Sequence, residues 1–248
     1  MKKGKRTIRK PLVELLAAAR PDIIDPLAAI AAGRVVVAGR IVTNPRSLVA
    51  RDASIVVAGP APLRGTVKLQ AALAIFDAPI AGRIALDVGA ASGGFTRALL
   101  DAGARRVYAV DAGHGQLLGS LRQDARVVDL EATNLGVLDR ALVPDAIDVV
   151  TLDLSYLALA AAVGQLERIA FAAHADLIAL VKPMFELRLA RPPTDRAALD
   201  EAVARAARGV AAAGWEVVAH ADSPLLGARG ARELFLHARR TTGPRPPA

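Results

Sequence analysis

Lys68, Asp153, Lys182 and Glu233 are two ammonium groups and two carboxylates, far apart in the chain, each expected where a strand of an α/β domain ends or a loop meets it. Asp153 closes the apolar run Ile147–Asp153, in Leu152-Asp153-Leu154-Ser155, and Lys182 closes Leu177–Lys182, in Val181-Lys182-Pro183. Lys68 lies in Arg64-Gly65-x-x-Lys68-Leu69 and Glu233 in Arg232-Glu233-Leu234. The segments ahead of Asp153 and Lys182 are too uniformly apolar to face solvent, which marks buried parallel strands. Charges are uncommon at such ends unless they have work to do. Open α/β sheets take ligands at the carboxyl edge of their strands. A lysine there can accept or polarise a hydroxyl proton, and the acids can orient it.

A second segment marks a place beside that edge for a ligand. Leu86-Asp87-Val88-Gly89-Ala90-Ala91-Ser92-Gly93-Gly94-Phe95-Thr96 follows an apolar strand and opens a helix. Its small residues let the backbone turn tightly and approach a ligand, and the helix start offers free N–H groups. Asp111 ends the next strand, twenty-two residues after Gly89, where a carboxylate can accept from both hydroxyls of a ribose. The loop lacks the Gly-x-Gly-x-x-Gly of nicotinamide dehydrogenases; its Asp-x-Gly opening resembles the first motif of S-adenosylmethionine methyltransferases. Glu131-Ala-Thr-Asn134, after the third strand, borders the adenine of such a cofactor or forms a turn.

The elements that must position these residues alternate from Ile84 onward. Strands are expected at Ile84–Val88, Val107–Asp111, Val127–Leu130, Ile147–Asp153, Leu177–Lys182, Trp215–Ala219 and Glu233–Ala238, with helices such as Phe95–Ala102 and Ala197–Ala213 between them. This alternation predicts a parallel sheet wound on both faces. Ahead of it, Pro11 and Pro26 open two short helices, Gly33 ends the second, and two strands turn at Ala38-Gly39. Asn44-Pro45 turns the chain again, and Ser54–Val57 forms another strand. Domain boundaries follow: a small α+β unit over 1–58, a linker at 59–62, the α/β domain over 63–240, and a disordered tail at 241–248.

Charge separates the same two parts. Residues 1–60 carry eleven Lys/Arg against four Asp/Glu, whereas the remaining 188 carry twenty-one against twenty. Concentrated positive charge attracts phosphate backbones, and Arg9, Lys10, Arg34, Arg40 and Arg64 are the candidate RNA contacts. With no cysteine, disulfides and thiol nucleophiles are excluded. His114, His174, His220 and His237 show no metal-ligand spacing and read as surface or edge residues, so no metal is expected. No long apolar run follows the basic start, and none of eighteen residues occurs elsewhere, so neither a secretory signal nor a spanning helix is expected. A soluble cytoplasmic protein is the expectation.

Residues 9–58 resemble the small RNA-binding domain of ribosomal protein S-four, chiefly across Ala-Ile-Ala-Ala-Gly33-Arg34-Val-Val-Val-Ala-Gly39-Arg40-Ile-Val. Asp25-Pro26 departs from the polar Ser-Arg start usual for that domain's second helix. Over nearly the whole chain, the Asp87–Thr96 stretch, Val110-Asp111-Ala-Gly-His114-Gly-Gln116-Leu, Asp153-Leu-Ser155 and Val181-Lys-Pro-Met-Phe-Glu186 resemble the TlyA (haemolysin A-like) family of ribosomal RNA 2′-O-methyltransferases, related to FtsJ. The resemblance implies a Rossmann-like methyltransferase sheet, S-adenosylmethionine as cofactor, and ribosomal RNA or a ribosomal subunit as partner. It implies Lys68, Asp153, Lys182 and Glu233 as the catalytic set. Asp87, Gly89, Ala90, Ser92, Gly93, Gly94, Phe95, Asp111, Glu131 and Asp153 are then the cofactor residues. Lys182 would take the ribose proton or, as a nearby cation, lower the hydroxyl's pKa; Lys68 and Glu233 would position the ribose. Met184 stands where the family carries glutamine, and Leu187-Arg-Leu-Ala-Arg191 replaces a glycine-rich basic loop. Alternative readings are an RNA-binding protein with a degenerate methyltransferase fold and a membrane-active haemolysin.

Overall fold

The computed structural model of the chain describes residues 9–57, save 22, 24 and 32, and residues 62–241. Lys2, Lys3, Lys5 and Arg6, most of the expected linker and the expected tail beyond 241 lie outside the described residues. Internal contacts divide the chain into two compact units, residues 1–61 and 62–248 in sequence.

The first unit runs β1 (Arg9–Pro11), α1 (Leu12–Ala19), α2 (Pro26–Ala31), β2 (Val35–Val37), β3 (Arg40–Ile41), β4 (Leu48–Ala50) and β5 (Ile55–Val57). Pro26 opens α2 as the sequence predicts, and Asp25 accepts a hydrogen bond from Ala28 N at 2.9 Å. The acid that departs from the S-four pattern therefore serves as a helix cap. Ala38 and Gly39 both adopt positive φ, 47° and 81°, which gives the β2–β3 hairpin the twist its strands require. Glycine was expected to supply that conformation; alanine shares it. The sequence reading missed β1 and β4, which pair antiparallel from Arg9–Ala50 to Pro11–Leu48. Neither carries the run of valine and isoleucine that marks the equally short β2 and β5: β1 is Arg-Lys-Pro and β4 is Leu-Val-Ala. Leu12, Leu16, Ile30, Val35 and Val49 close a small core.

The second unit contains α3 (Arg64–Phe76), β6 (Ile84–Val88), α4 (Gly94–Asp101), β7 (Arg106–Val110), α5 (Gly119–Arg122) and β8 (Val127–Leu130). It continues with β9 (Ile147–Leu152), α6 (Leu159–Gly164), β10 (Phe171–Val181), α7 (Pro183–Glu186), α8 (Arg196–Ala212), β11 (Glu216–Asp222) and β12 (Leu234–Thr241). The strands form one sheet in the order β11-β12-β10-β9-β6-β7-β8. Side chains alternate across it: Leu86, Val150 and Leu177 join one core with Leu199 and Val203 of α8. Ala85, Val149 and Ile178 join another with Leu69 of α3 and Leu99 of α4. The period of two thus serves helical layers on both faces.

Three expectations need correction. Lys68 stands neither at a strand end nor in a loop but within α3, on its buried side. The sheet is not wholly parallel, because β12 runs antiparallel to both β10 and β11. That reversal brings the start of β12 to the end of β10, with Leu234 opposite Val181, so Glu233 and Lys182 reach the same edge from opposite chain directions. Nor is His237 a surface or edge residue. It is buried, stacked on Phe76 with ring centroids 5.2 Å apart, and its Nε2 lies 2.8 Å from Asp176 Oδ1. Burial would raise the Asp176 pKa, but hydrogen bonds from His237, Arg83 and Arg239 outweigh it and hold the carboxyl well below its ordinary range. This charged cluster explains why β10 begins six residues before the expected Leu177: Asp176 and His174 look unlike strand residues until Arg83 binds the carboxylate of one and the carbonyl of the other, at 2.6 and 2.7 Å.

Candidate active site

β6 has β7 on one side and β9 on the other, so the chain's direction of winding reverses there and the loops beyond the two strand ends part. The crevice holds a cavity of about 240 Å³ bordered by Gly89, Asp111, Thr133, Leu135, Asp153 and Tyr156. Gly89 turns away from β6 at φ +86°, and a Cβ on it would lie 2.5 Å from the Asp153 carbonyl oxygen. Its N–H and that of Ala90 donate to Val110 O, at 2.9 and 3.1 Å. Glycine here lets three strand ends close on one point. Gly93, at φ +92°, precedes α4 and leaves room for Leu121, which a Cβ would meet at 2.1 Å.

The acids around this turn divide their tasks. Asp111 faces the cavity while its two oxygens accept from Ala91 N at 2.8 Å and Gly113 N at 2.7 Å. Glu131 does not border the cavity; it accepts from Leu117 N at 2.9 Å and Gln116 N at 2.5 Å and pairs with Arg122, so it shapes the 115–117 turn. Thr133 and Leu135, on the same segment, are the residues that reach the cavity. Asp87 is fully buried and accepts from Thr96 Oγ1 at 2.6 Å and Thr151 Oγ1 at 2.9 Å. It bolts β6 to α4 and β9 and borders none of the cavities described here.

Burial raises the Asp87 pKa to about 6, against the two threonine hydrogen bonds and with some help from the Asp153 charge. Because the folded value lies above the unfolded 3.8, the native state holds the proton more tightly. Asp87 therefore favours folding more at pH 4 than at pH 8. Urea unfolding of Asp87→Asn beside the parent chain is expected to show the variant gaining relative stability as pH rises through this window. The two-unit shift caps that gain at ~3 kcal/mol. A pH-independent difference would refute the assignment.

A second cavity of about 310 Å³ lies against the same turn, bordered by Gly65, Gly89, Ala90, Ser92, Gly94, Phe95 and Asp153. Arg64 also borders it and donates to Leu226 O at 2.5 Å, bracing the 223–232 loop. α3 reaches this place because two glycines face each other: a Cβ on Gly94 would lie 2.8 Å from Gly65 Cα. Thr66 Oγ1 adds a 2.9 Å hydrogen bond to Gly94 O, and Lys68 follows on the buried side of α3.

The four charged residues stand as two ion pairs. Lys68 Nζ lies 2.6 Å from Glu233 Oε2, with both residues buried. Gly227 makes room for this acid, since a Cβ there would meet Glu233 Oε1 at 2.0 Å. Lys182 Nζ lies 2.6 Å from Asp153 Oδ1, off that oxygen's hydrogen-bonding direction, and donates to Ser155 Oγ at 2.8 Å. Lys68, Lys182, Ser155 and Glu233 border a third cavity of about 400 Å³, with Met184, Phe185, Arg229 and Arg232 on its other walls. Asp153 borders the first two. The Lys182–Asp153 pair therefore joins the glycine-turn cavities to the third one.

The exposed candidates Arg9, Lys10 and Arg40 and the half-buried Arg34 belong to the first unit, away from this constellation in sequence. Tyr156 went unnoticed in the sequence, although its place directly after Asp153-Leu154-Ser155 at a strand end was a usable signal. The Thr96 and Thr151 contacts had none, being tertiary. Among the described residues no three His, Cys, Asp or Glu side chains group as metal ligands.

The chain is similar to several known proteins. The FtsJ-like methyltransferase family matches residues 62–240. The 16S/23S rRNA (cytidine-2′-O)-methyltransferase TlyA of Mycobacterium tuberculosis is 40% identical over 229 residues, which is 86% of this chain and 82% of that protein. Hemolysin A of Brachyspira hyodysenteriae is 31% identical over 185 residues, 70% of this chain and 75% of its own. A solved structure of a candidate hemolysin from Streptococcus thermophilus superposes with a TM-score of 0.71 at 27% identity, covering 96% of this chain and 90% of that one.

Proposed function

The chain belongs to the FtsJ-like methyltransferase family, and on that premise we propose that it transfers a methyl group from S-adenosylmethionine to a ribose 2′-hydroxyl of ribosomal RNA, using Lys68, Asp153, Lys182 and Glu233. The observation that carries the reading is the Lys182–Asp153 pair, 2.6 Å apart, at the junction of the glycine-turn cavities and the third cavity. Its relatives include a named rRNA (cytidine-2′-O)-methyltransferase.

The residues fit the cofactor. Asp111 faces the first cavity and is suited to a ribose diol, and the Gly89–Ser92 backbone is bare enough for close approach. S-adenosylmethionine supplies an electrophilic methyl group on a sulfonium. The chain's own work is on the acceptor. Of the three N–H donors on Lys182, one is given to Ser155 and none is aligned on Asp153 Oδ1, so a donor remains for the ribose oxygen while the ion pair holds the ammonium in place. As a cation at that oxygen, Lys182 stabilises the negative charge that develops as the hydroxyl proton passes to solvent water through the third cavity. Lys68 and Glu233, held against each other, offer a donor and an acceptor that fix the sugar's orientation, and placement alone can supply several kcal/mol. Incubating the protein with ribosomal subunits and labelled cofactor, then mapping 2′-O-methyl groups, tests the reading; no incorporation into any ribosomal RNA would overturn it. Titrating the cofactor alone by calorimetry distinguishes an enzyme from an RNA binder with a degenerate fold.

The first unit is, on this proposal, an S-four-like RNA-binding domain that grips the substrate through Arg9, Lys10, Arg34 and Arg40, and the protein acts in the cytoplasm. Among the described residues no helix is long and apolar enough to cross a membrane. Deleting residues 1–61 is expected to weaken ribosomal RNA binding at least tenfold. Four lost phosphate contacts should also flatten the log–log salt dependence by about 3. An unchanged slope would count against the assignment.

A further inference from the structure

We infer that Glu186 is a positioning residue that locks the segment carrying Asp153 and Ser155 to the segment carrying Lys182. α7 starts directly after Lys182, and the N–H groups of Phe185 and Glu186 both donate to the Lys182 carbonyl, at 2.9 and 3.2 Å. The backbone of Glu186 is thus fastened to Lys182. Its side chain reaches in the other direction: Oε1 accepts from Leu159 N at 2.6 Å. Leu159 begins α6, at the end of the 153–158 loop, and α6 has no side-chain cap of its own. The N–H of Leu159 at that helix start is buried, and among the described residues Glu186 is the partner that satisfies it.

The choice of an acid for this task is costly. Glu186 is 3% exposed, and its other oxygen, Oε2, is buried without a hydrogen-bond partner. Burial raises its pKa, against the Leu159 hydrogen bond. A buried carboxyl group serving one amide contributes little net stability, so its place is explained better by what it joins. The two segments it ties are those whose side chains meet at Lys182 and Asp153. A shift of about an ångström between them would misplace the ammonium, and such shifts cost orders of magnitude in rate. Glu186 itself borders neither the first nor the third cavity, so it acts through the ion pair.

The inference rests on the proposed methyl transfer for its kinetic arm and carries an independent structural arm. Glu186→Ala is expected to lower kcat at least tenfold, with KM for ribosomal RNA and the Kd of S-adenosylmethionine each within about threefold of the parent. Glu186→Gln keeps a carbonyl acceptor for Leu159 N and is expected to retain kcat within about threefold. Hydrogen exchange of peptides covering 153–160 should quicken in the alanine variant and not in the glutamine variant, whatever the activity. An alanine variant with parental kcat and exchange would overturn the inference, as would a glutamine variant whose exchange matches that of alanine. Absence of methyl transfer by the parent chain would instead strike the proposed function, and the exchange comparison would still decide the role of Glu186.

Discussion

Lys182→Ala is expected to abolish methyl transfer, lowering kcat by about a thousandfold or more, while the Kd of S-adenosylmethionine stays within about threefold. The asymmetry follows from where the side chain lies. Its Nζ is shared between Asp153 and Ser155 and faces the third cavity, whereas it borders neither cavity of the glycine turn. The loss is therefore of a cation present at the developing oxyanion, worth about 4 kcal/mol for a thousandfold. The variant should fold: the deserted Asp153 Oδ1 is buried, but the side chain as a whole is 24% exposed, and the space left by the lysine side chain admits water to that oxygen. Single-turnover transfer to ribosomal RNA, beside calorimetric titration of cofactor, separates the two quantities. Activity equal to the parent would remove Lys182 from the mechanism.

Gly89→Ala is expected to do the opposite, weakening S-adenosylmethionine binding by about a hundredfold or more and lowering the melting temperature. The added Cβ would lie 2.5 Å from a backbone oxygen, that of Asp153, and 3.0 Å from its carbonyl carbon. No flexible side chain can yield there. The positive φ of +86° adds strain for any residue with a Cβ. Relief requires parting the ends of β6 and β9, which is the crevice itself. A variant with parental affinity and melting temperature would show that the turn tolerates a wider separation than its geometry implies.

The two expected results divide the site along a line already visible in the sequence. The glycine-rich turn and Asp111 were legible because a strand, a run of small residues and a helix follow one another within a few positions. Asp153 and Lys182 were legible because charges at the ends of uniformly apolar runs have few structural uses. Lys68 and Glu233 were weaker candidates by themselves: each is a charge in ordinary polar surroundings until the other is brought within 2.6 Å. They were candidates only in company with Asp153 and Lys182, and the resemblance to a methyltransferase family gave them a role. Asp87 shows the converse. Its place in the motif suggested a cofactor contact, yet its carboxylate turns inward to Thr96 and Thr151.

The amino-acid order by itself determined the alternation of strands and helices, the basic first unit, and which side chains were available for chemistry. These are properties of nearest neighbours along the chain: hydrophobic period, glycine and proline placement, local charge. The reversal of β12, the pairing of Lys68 with Glu233, the burial of His237 against Asp176 and the bridge from Glu186 to Leu159 were decided by tertiary structure. The last three join residues at least 27 positions apart. Such contacts depend on where packed elements place the side chains, and local patterning carries no record of that.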